Sequence, residues 1–175
     1  MEIIKYQLGR EPENIGGIAV FCPFEKPAVL LTLPYSREYG VFPTIYWLSC
    51  PYLVKEVSRL EDKGLIREYT VMLEKDCTLK ERLMVAHQDY RLARMKLLSN
   101  TNRRYLSNKK PILEVLCESG VGGIRDKKGI KCLHTHLADY LVKKKNPVGE
   151  QVWQELAWPK DCHVCDLDKV KKRGR

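Results

Sequence analysis

Three short apolar runs within the first fifty-one residues, each stopped by a proline, limit what this chain can fold into. Ile18-Ala19-Val20-Phe21-Cys22 opens after Gly16-Gly17 and ends at Pro23, and Ala28-Val29-Leu30-Leu31-Thr32-Leu33 ends at Pro34. Thr44-Ile45-Tyr46-Trp47-Leu48 leads through Ser49-Cys50 to Pro51. Proline has no amide hydrogen to give to a ladder, so each run reads as a short strand and ends where its proline stands. The third is rich in β-branched and aromatic residues, which suit a pleated surface. The link Pro23-Phe24-Glu25-Lys26-Pro27 is tight enough to pair the first two runs antiparallel, with Cys22 at the loop end. Ser49 is placed to cap a helix with Pro51 in its first turn. Leu53, Val54, Val57 and Leu60 then recur at helical spacing before Gly64.

The remainder is mostly helical in pattern. Residues 1–15 are mixed and polar, with Gly9 and Pro12 breaking any period. Leu65 to Leu73 is expected as a short strand or extended connection. Thr78 is placed to cap a long helix running to Leu98, with Leu79, Leu83, Ala86, Tyr90, Ala93 and Leu97 on one face and His87 at its edge. A polar segment, Ser99 to Lys110, precedes a short helix that starts at Pro111. After the glycine-rich segment Gly120 to Lys131, Leu133, Leu137 and Leu141 mark a further helix, and Glu150 to Leu156 another. The expected architecture is one α+β domain over residues 1–168, with a small antiparallel N-terminal sheet packed against four or five helices. Residues 169–175 form a basic tail.

Hydrophobic residues make up 44% and charged residues 30%, as in ordinary globular proteins. No apolar run approaches about eighteen residues and no signal pattern opens the chain, so a cytoplasmic location is expected. The net charge is +9, and removing the five basic residues of the tail leaves +4. A basic tail permits weak contact with nucleic acid, although no nucleic-acid recognition module is legible.

Seven cysteines in a reducing compartment point to metal, redox or buried thiols before disulfides. Cys22 and Cys50 each end a strand-like run and precede proline. Cys50 also stands at a helix start, which lowers a thiol's pKa and suits a nucleophile or a metal-bound thiolate. Cys162-His163-Val164-Cys165 is a CxxC pair, compatible with metal binding or with a dithiol. Cys77 and Cys117 look like packing residues. If the helix begins at Cys132, His136 shares its face and Asp139 lies close, whereas His134 is turned about 200° away. The expected centre therefore joins Cys22, Cys50 and Cys132 with Cys162 or Cys165, holding an iron-sulfur cluster or zinc, with His136 in place of one thiolate favouring zinc. His134, His136, Asp139 and His87 are the candidates for proton transfer. Arg125 and Lys131 lie within the glycine-rich segment, where exposed amides together with Lys127 and Lys128 would attract an anion. Two alternatives stand beside this reading. One is a metal- or thiolate-dependent hydrolase or transferase acting on an anionic substrate. The other is a zinc-stabilised module for nucleic acid or protein.

Taken together, Phe42-Pro43-Thr44-Ile45-Tyr46-Trp47-Leu48-Ser49-Cys50-Pro51, Gly122-Gly123-Ile124, Lys131-Cys132-Leu133-His134-Thr135-His136 and Asn146-Pro147-Val148-Gly149 resemble a bacterial family, domain of unknown function 501. The likeness covers about residues 16–157. It implies that Cys22, Cys50, Cys132 and His134, with His136 following, belong together, and it implies no reaction.

Overall fold

The computed structural model describes residues 1–126 and 129–166. The expected basic tail, and Lys127 and Lys128 of the glycine-rich segment, lie outside the described residues. β1 (Ile15–Phe21) and β2 (Pro27–Thr32) pair antiparallel across the expected turn, where the Cys22 amide donates to the Lys26 carbonyl at 2.8 Å. β3 (Tyr35–Ser36) and β4 (Gly40–Val41) form a separate small ladder. β5 (Tyr46–Leu48) joins the free edge of β2 with Leu30 opposite Trp47, giving the order β1-β2-β5. Ala28, Val29 and Leu30 are fully buried, as the continuous apolar run of a central strand requires.

The sheet is as expected, but the helix number is not: eight α-helices, rather than four or five, are present among the described residues. α1 (Glu2–Leu8) precedes the sheet, where no regular period is visible. It buries Ile4 alone and is stopped by Gly9, whose φ of 66° is left-handed. α2 (Pro51–Asp62) has Cys50, not Ser49, at its N-cap. α3 (Leu65–Lys75) replaces the expected strand or extended connection. Its β-branched residues imitate a strand, yet Tyr69 and Leu73 are four apart and both buried, and the Thr70 hydroxyl donates to the Ile66 carbonyl one turn back at 2.7 Å. Packing has overridden propensity.

α4 (Cys77–Lys96) is capped by Asp76, whose carboxylate accepts the Leu79 amide at 3.0 Å, two residues earlier than Thr78 would set it. α5 (Asn100–Leu106) occupies the polar segment, with the Ser99 hydroxyl accepting the Asn102 amide. This short helix exists to bury Leu106, which joins Tyr35, Leu98 and Leu116 in a small second core. α6 (Lys110–Glu118), a 3₁₀ turn at Val121–Gly123, α7 (Leu133–Lys143) and α8 (Pro147–Gln154) complete the chain.

The main core lies where α7 crosses β5, β2 and β1 and meets α2 and α8. Leu53 and Val57 of α2, Leu133 and Leu137 of α7, and Val148 and Val152 of α8 fill it and are fully buried. The Tyr90 hydroxyl of α4 accepts the Ile45 and Tyr46 amides at 2.8 and 3.2 Å, tying the long helix to the start of β5. No helix among the described residues is long and apolar enough to cross a membrane.

Candidate metal centre

Val54, Ser58 and Glu61 recur on α2 at intervals of four and three, so they share one face. That face meets the beginning of α7. Cys132 is extended, with φ −162° and ψ 130°, and serves as N-cap, so helical register begins only at Leu133. The expectation that Cys132 and His136 share a helical face therefore fails, because Cys132 is not in the helix. Its Sγ lies 3.4 Å from His134 Nδ1. Glu61 Oε1 lies 3.3 Å from the same nitrogen and accepts the Leu133 amide at 2.6 Å, closing the exposed end of α7. Ligand atoms of Glu61, Cys132 and His134 all fall within 4.8 Å of one another, the one such group of three among the described residues.

The other ring nitrogen decides how His134 works. His134 Nε2 is 3.2 Å from the Val54 carbonyl and 3.3 Å from Ser58 Oγ, while Ser58 itself donates to Val54 at 3.0 Å. A carbonyl only accepts, so Nε2 carries a hydrogen and Nδ1 is left to face Cys132 and Glu61. Burial pulls the imidazole down, but the Cys132 sulfur, Glu61 and the Val54 carbonyl outweigh it and hold the pKa up at about 9. In a Cys-His-carboxylate triad the acid and the thiol would meet opposite nitrogens. Here both meet Nδ1, the geometry of donors converging on one point.

Cys132 and His134 also line a cavity of about 370 Å³ whose other walls include Leu8, Trp47 and Ser49. Arg10 is the one permanently charged side chain among its described lining residues, and it pairs with Glu13 at 3.1 Å.

The expected four-thiol centre does not form. Cys132 belongs with Glu61 and His134, and no set of cysteines converges as those three do. α2 is the physical reason: Cys50 caps its first turn and Glu61 ends it, eleven residues or about 16 Å along the axis. With one sulfur, the triad cannot supply the cysteine set of an iron-sulfur cluster, and the cysteine-rich zinc centre falls with it. Cys22, Cys50, Cys162 and Cys165 line a different cavity, of about 530 Å³. Burial pushes the Cys50 thiol up to about 11 despite the Leu53 and Tyr52 amides, reversing the expected helix-start effect. Cys77 is exposed at the start of α4, and Cys117 Sγ touches Met95 Sδ at 3.8 Å. All seven cysteines are free thiols.

The expected proton-transfer group is divided by α7. His134 stands at the triad, whereas His136, Asp139 and His87 are buried on the opposite side. His136 Nδ1 faces Asn146 Oδ1 at 3.2 Å, and Asn146 Nδ2 donates to Asp139 at 2.9 Å. His87 Nδ1 accepts the Val121 amide at 3.0 Å, with its ring edge-on to His136 at 6.1 Å. Burial pulls His136 down to about 4 and pushes Asp139 up to about 6. Arg125 and Lys131 are exposed, and Lys131 Nζ reaches the Gly122 carbonyl at 3.4 Å. The glycine-rich amides turn inward: those of Gly120, Val121 and Gly123 donate to the Ile124 carbonyl, His87 and the Gly120 carbonyl. Sequence reasoning missed Glu61, Ser58 and Arg10. Glu61 carried one signal, a carboxylate in the last turn of a helix, where the negative end of the dipole disfavours it.

Fold and site together define an α+β protein with one candidate metal-coordinating triad among its described residues. The chain belongs to the DUF501 family, described as "Protein of unknown function (DUF501)", which matches residues 18–154 and so spans the whole triad. No curated protein and no solved structure gives a significant match.

Proposed function

We propose that the protein binds one divalent transition-metal ion through Glu61, Cys132 and His134 and presents it to a small anionic ligand in the adjoining cavity. The observation that carries this reading is the meeting of a sulfur and a carboxylate oxygen on His134 Nδ1, while Nε2 is held by the Val54 carbonyl. Ligating histidines use this arrangement, in which a carbonyl behind the ring fixes tautomer and direction. The Leu133 amide does the same for the carboxylate.

The donor set selects the ion. One thiolate, one imidazole and one carboxylate suit zinc, whereas magnesium and calcium prefer oxygen throughout. Three protein ligands would leave one position of a tetrahedral ion for an outside ligand, and Cys132 and His134 border the cavity from which such a ligand would come. An anion bound there would share Arg10 with Glu13. Binding replaces the proton held on Nδ1, so uptake releases protons and weakens as pH falls.

Titration of chelator-treated protein with zinc and with cobalt tests the reading. The expected result is one ion per chain, with a thiolate-to-cobalt charge-transfer band that Cys132→Ser abolishes. Glu61→Gln and His134→Ala are expected to weaken uptake by about tenfold or more. Absence of stoichiometric uptake, or wild-type affinity in all three variants, refutes the proposal.

A further inference from the structure

We infer that Cys162 and Cys165 form a reversible dithiol-disulfide site that exchanges with a small neutral or cationic disulfide held in the cavity they share with Cys22 and Cys50. The inference is independent of the metal centre and uses none of its residues. Four of the seven cysteines line this one cavity of about 530 Å³, brought there from the end of β1, the start of α2 and the C-terminal segment. They surround space and do not enclose an ion, since no three of their sulfurs converge within 4.8 Å. A roomy thiol-lined cavity suits a molecule.

The two cysteines of the CxxC differ in the way an exchange pair needs. Cys162 is partly exposed, whereas Cys165 is buried, at 7%. The Asp166 amide donates to the His163 carbonyl at 3.2 Å, closing a turn over this segment. Gln7 holds Cys165: its amide donates to Cys165 Sγ at 3.2 Å and to the Pro27 carbonyl at 2.8 Å, fixing α1 and the sulfur to β2. Cys162 is therefore the attacking thiol, and Cys165 resolves.

In the first step the Cys162 thiolate attacks one sulfur of the incoming disulfide. The S–S bond breaks, and the departing thiolate takes the proton that Cys162 gave up. Cys165 then attacks the Cys162 sulfur of the mixed disulfide, forming the Cys162–Cys165 bond and releasing the second small thiol with the proton of Cys165. Two protein thiols are oxidised and one small disulfide is reduced to two thiols, so the exchange balances without another oxidant. The cavity also has a charge preference: Glu25, Asp161 and Asp166 line it against Lys26 and His163, disfavouring a polyanionic disulfide.

The test uses the reduced full chain with cystamine, a dication, and oxidised glutathione, a net dianion, as probes. Intact mass and peptide mapping under acid quench should show a Cys162–Cys165 bond, reversed by dithiothreitol, forming about tenfold faster with cystamine. Cys165→Ser should trap a cysteamine adduct on Cys162, while Cys22→Ser should still form the bond. Gln7→Leu should slow the resolving step and leave the first attack unchanged. Unfolding in urea should abolish the preference between probes. A bond mapped to any other pair, no bond at all, or equal rates for the two probes on folded protein overturns the inference. Stoichiometric uptake of a thiophilic metal that blocks both cysteines from cystamine overturns it equally.

Discussion

Arg94 is a charge held in the interior, and it meets no carboxylate among the described residues. Fully buried, it donates to the Pro43 carbonyl at 2.7 Å, to Leu116 and Ser119 carbonyls at 2.9 and 2.8 Å, and to Gly120 at 2.8 Å, with the Tyr90 ring 5.3 Å beneath. Burial pulls the guanidinium below its ordinary pKa, and this ring of carbonyls is what keeps the charge inside. A lysine cannot span such a fork. Arg94→Lys is expected to cost about 3–5 kcal/mol in urea unfolding, the range for stripping partners from a buried charge. A change below about 0.5 kcal/mol, the scale of ordinary surface substitutions, would refute the role.

His136 has a folded pKa of about 4, below its ordinary 6.5, so its contribution is present above pH 6.5 and is lost as pH falls toward 4. Asp139 has a folded pKa of about 6, above its ordinary 3.8, so its contribution is full below pH 3.8 and is lost as pH rises through 6. The two oppose each other between pH 4 and 6. Wild type should therefore gain on Asp139→Asn by about 2 kcal/mol as pH drops from 6 to 4. Parallel stability-pH curves for the two proteins would show that Asp139 titrates normally.

At the scale of elements, the joint between α7 and α8 has the least slack. A Cβ at Gly149 would stand 2.1 Å from the His136 carbonyl oxygen and 2.5 Å from Tyr140 Cβ, both on α7. Backbone lies on that side, so no rotamer change relieves the clash. Gly149→Ala is expected to cost about 3 kcal/mol, at the upper end for overpacking, and to lower the thermal midpoint accordingly. By contrast, Asp76→Ala removes one cap from the exposed start of α4 and should cost only about 1 kcal/mol. An equal loss in both would mean that the joint can open. α3 and α5 show how far elements were legible: their packing faces are short, and the residues that decide them, Tyr69, Leu73 and Leu106, have partners remote in the chain.

For the whole molecule, the metal reading makes a thermodynamic demand. The triad links the end of α2 to the start of α7, two elements of the main core, so an ion bound there must stabilise the folded chain by linkage. At a free zinc level a hundred times the dissociation constant, the gain is about 2.7 kcal/mol. Zinc should raise the thermal midpoint and chelator should reverse it, and Cys132→Ser should show neither response. A midpoint indifferent to both in wild type would remove the ion from the folded state.

By itself the sequence determined the proline-bounded sheet, the long α4, the α7 pattern and the family. Each is written in neighbours a few residues apart, as alternation, helical spacing, caps or a spaced motif. It also singled out the stretch that holds Cys132, His134 and His136, because soft ligands crowded into five residues stand out in any composition, although it paired Cys132 with His136. Only the tertiary structure decided which of them meet. One residue of register, Cys132 as N-cap instead of first helical residue, turned the site from His136 to His134. The length of α2 set Cys50 and Glu61 at opposite ends of one helix, and so divided the cysteines between two cavities. Glu61 and Arg94 look like surface charges in the sequence because a charge's partners are set by three-dimensional proximity, and local pattern does not encode it.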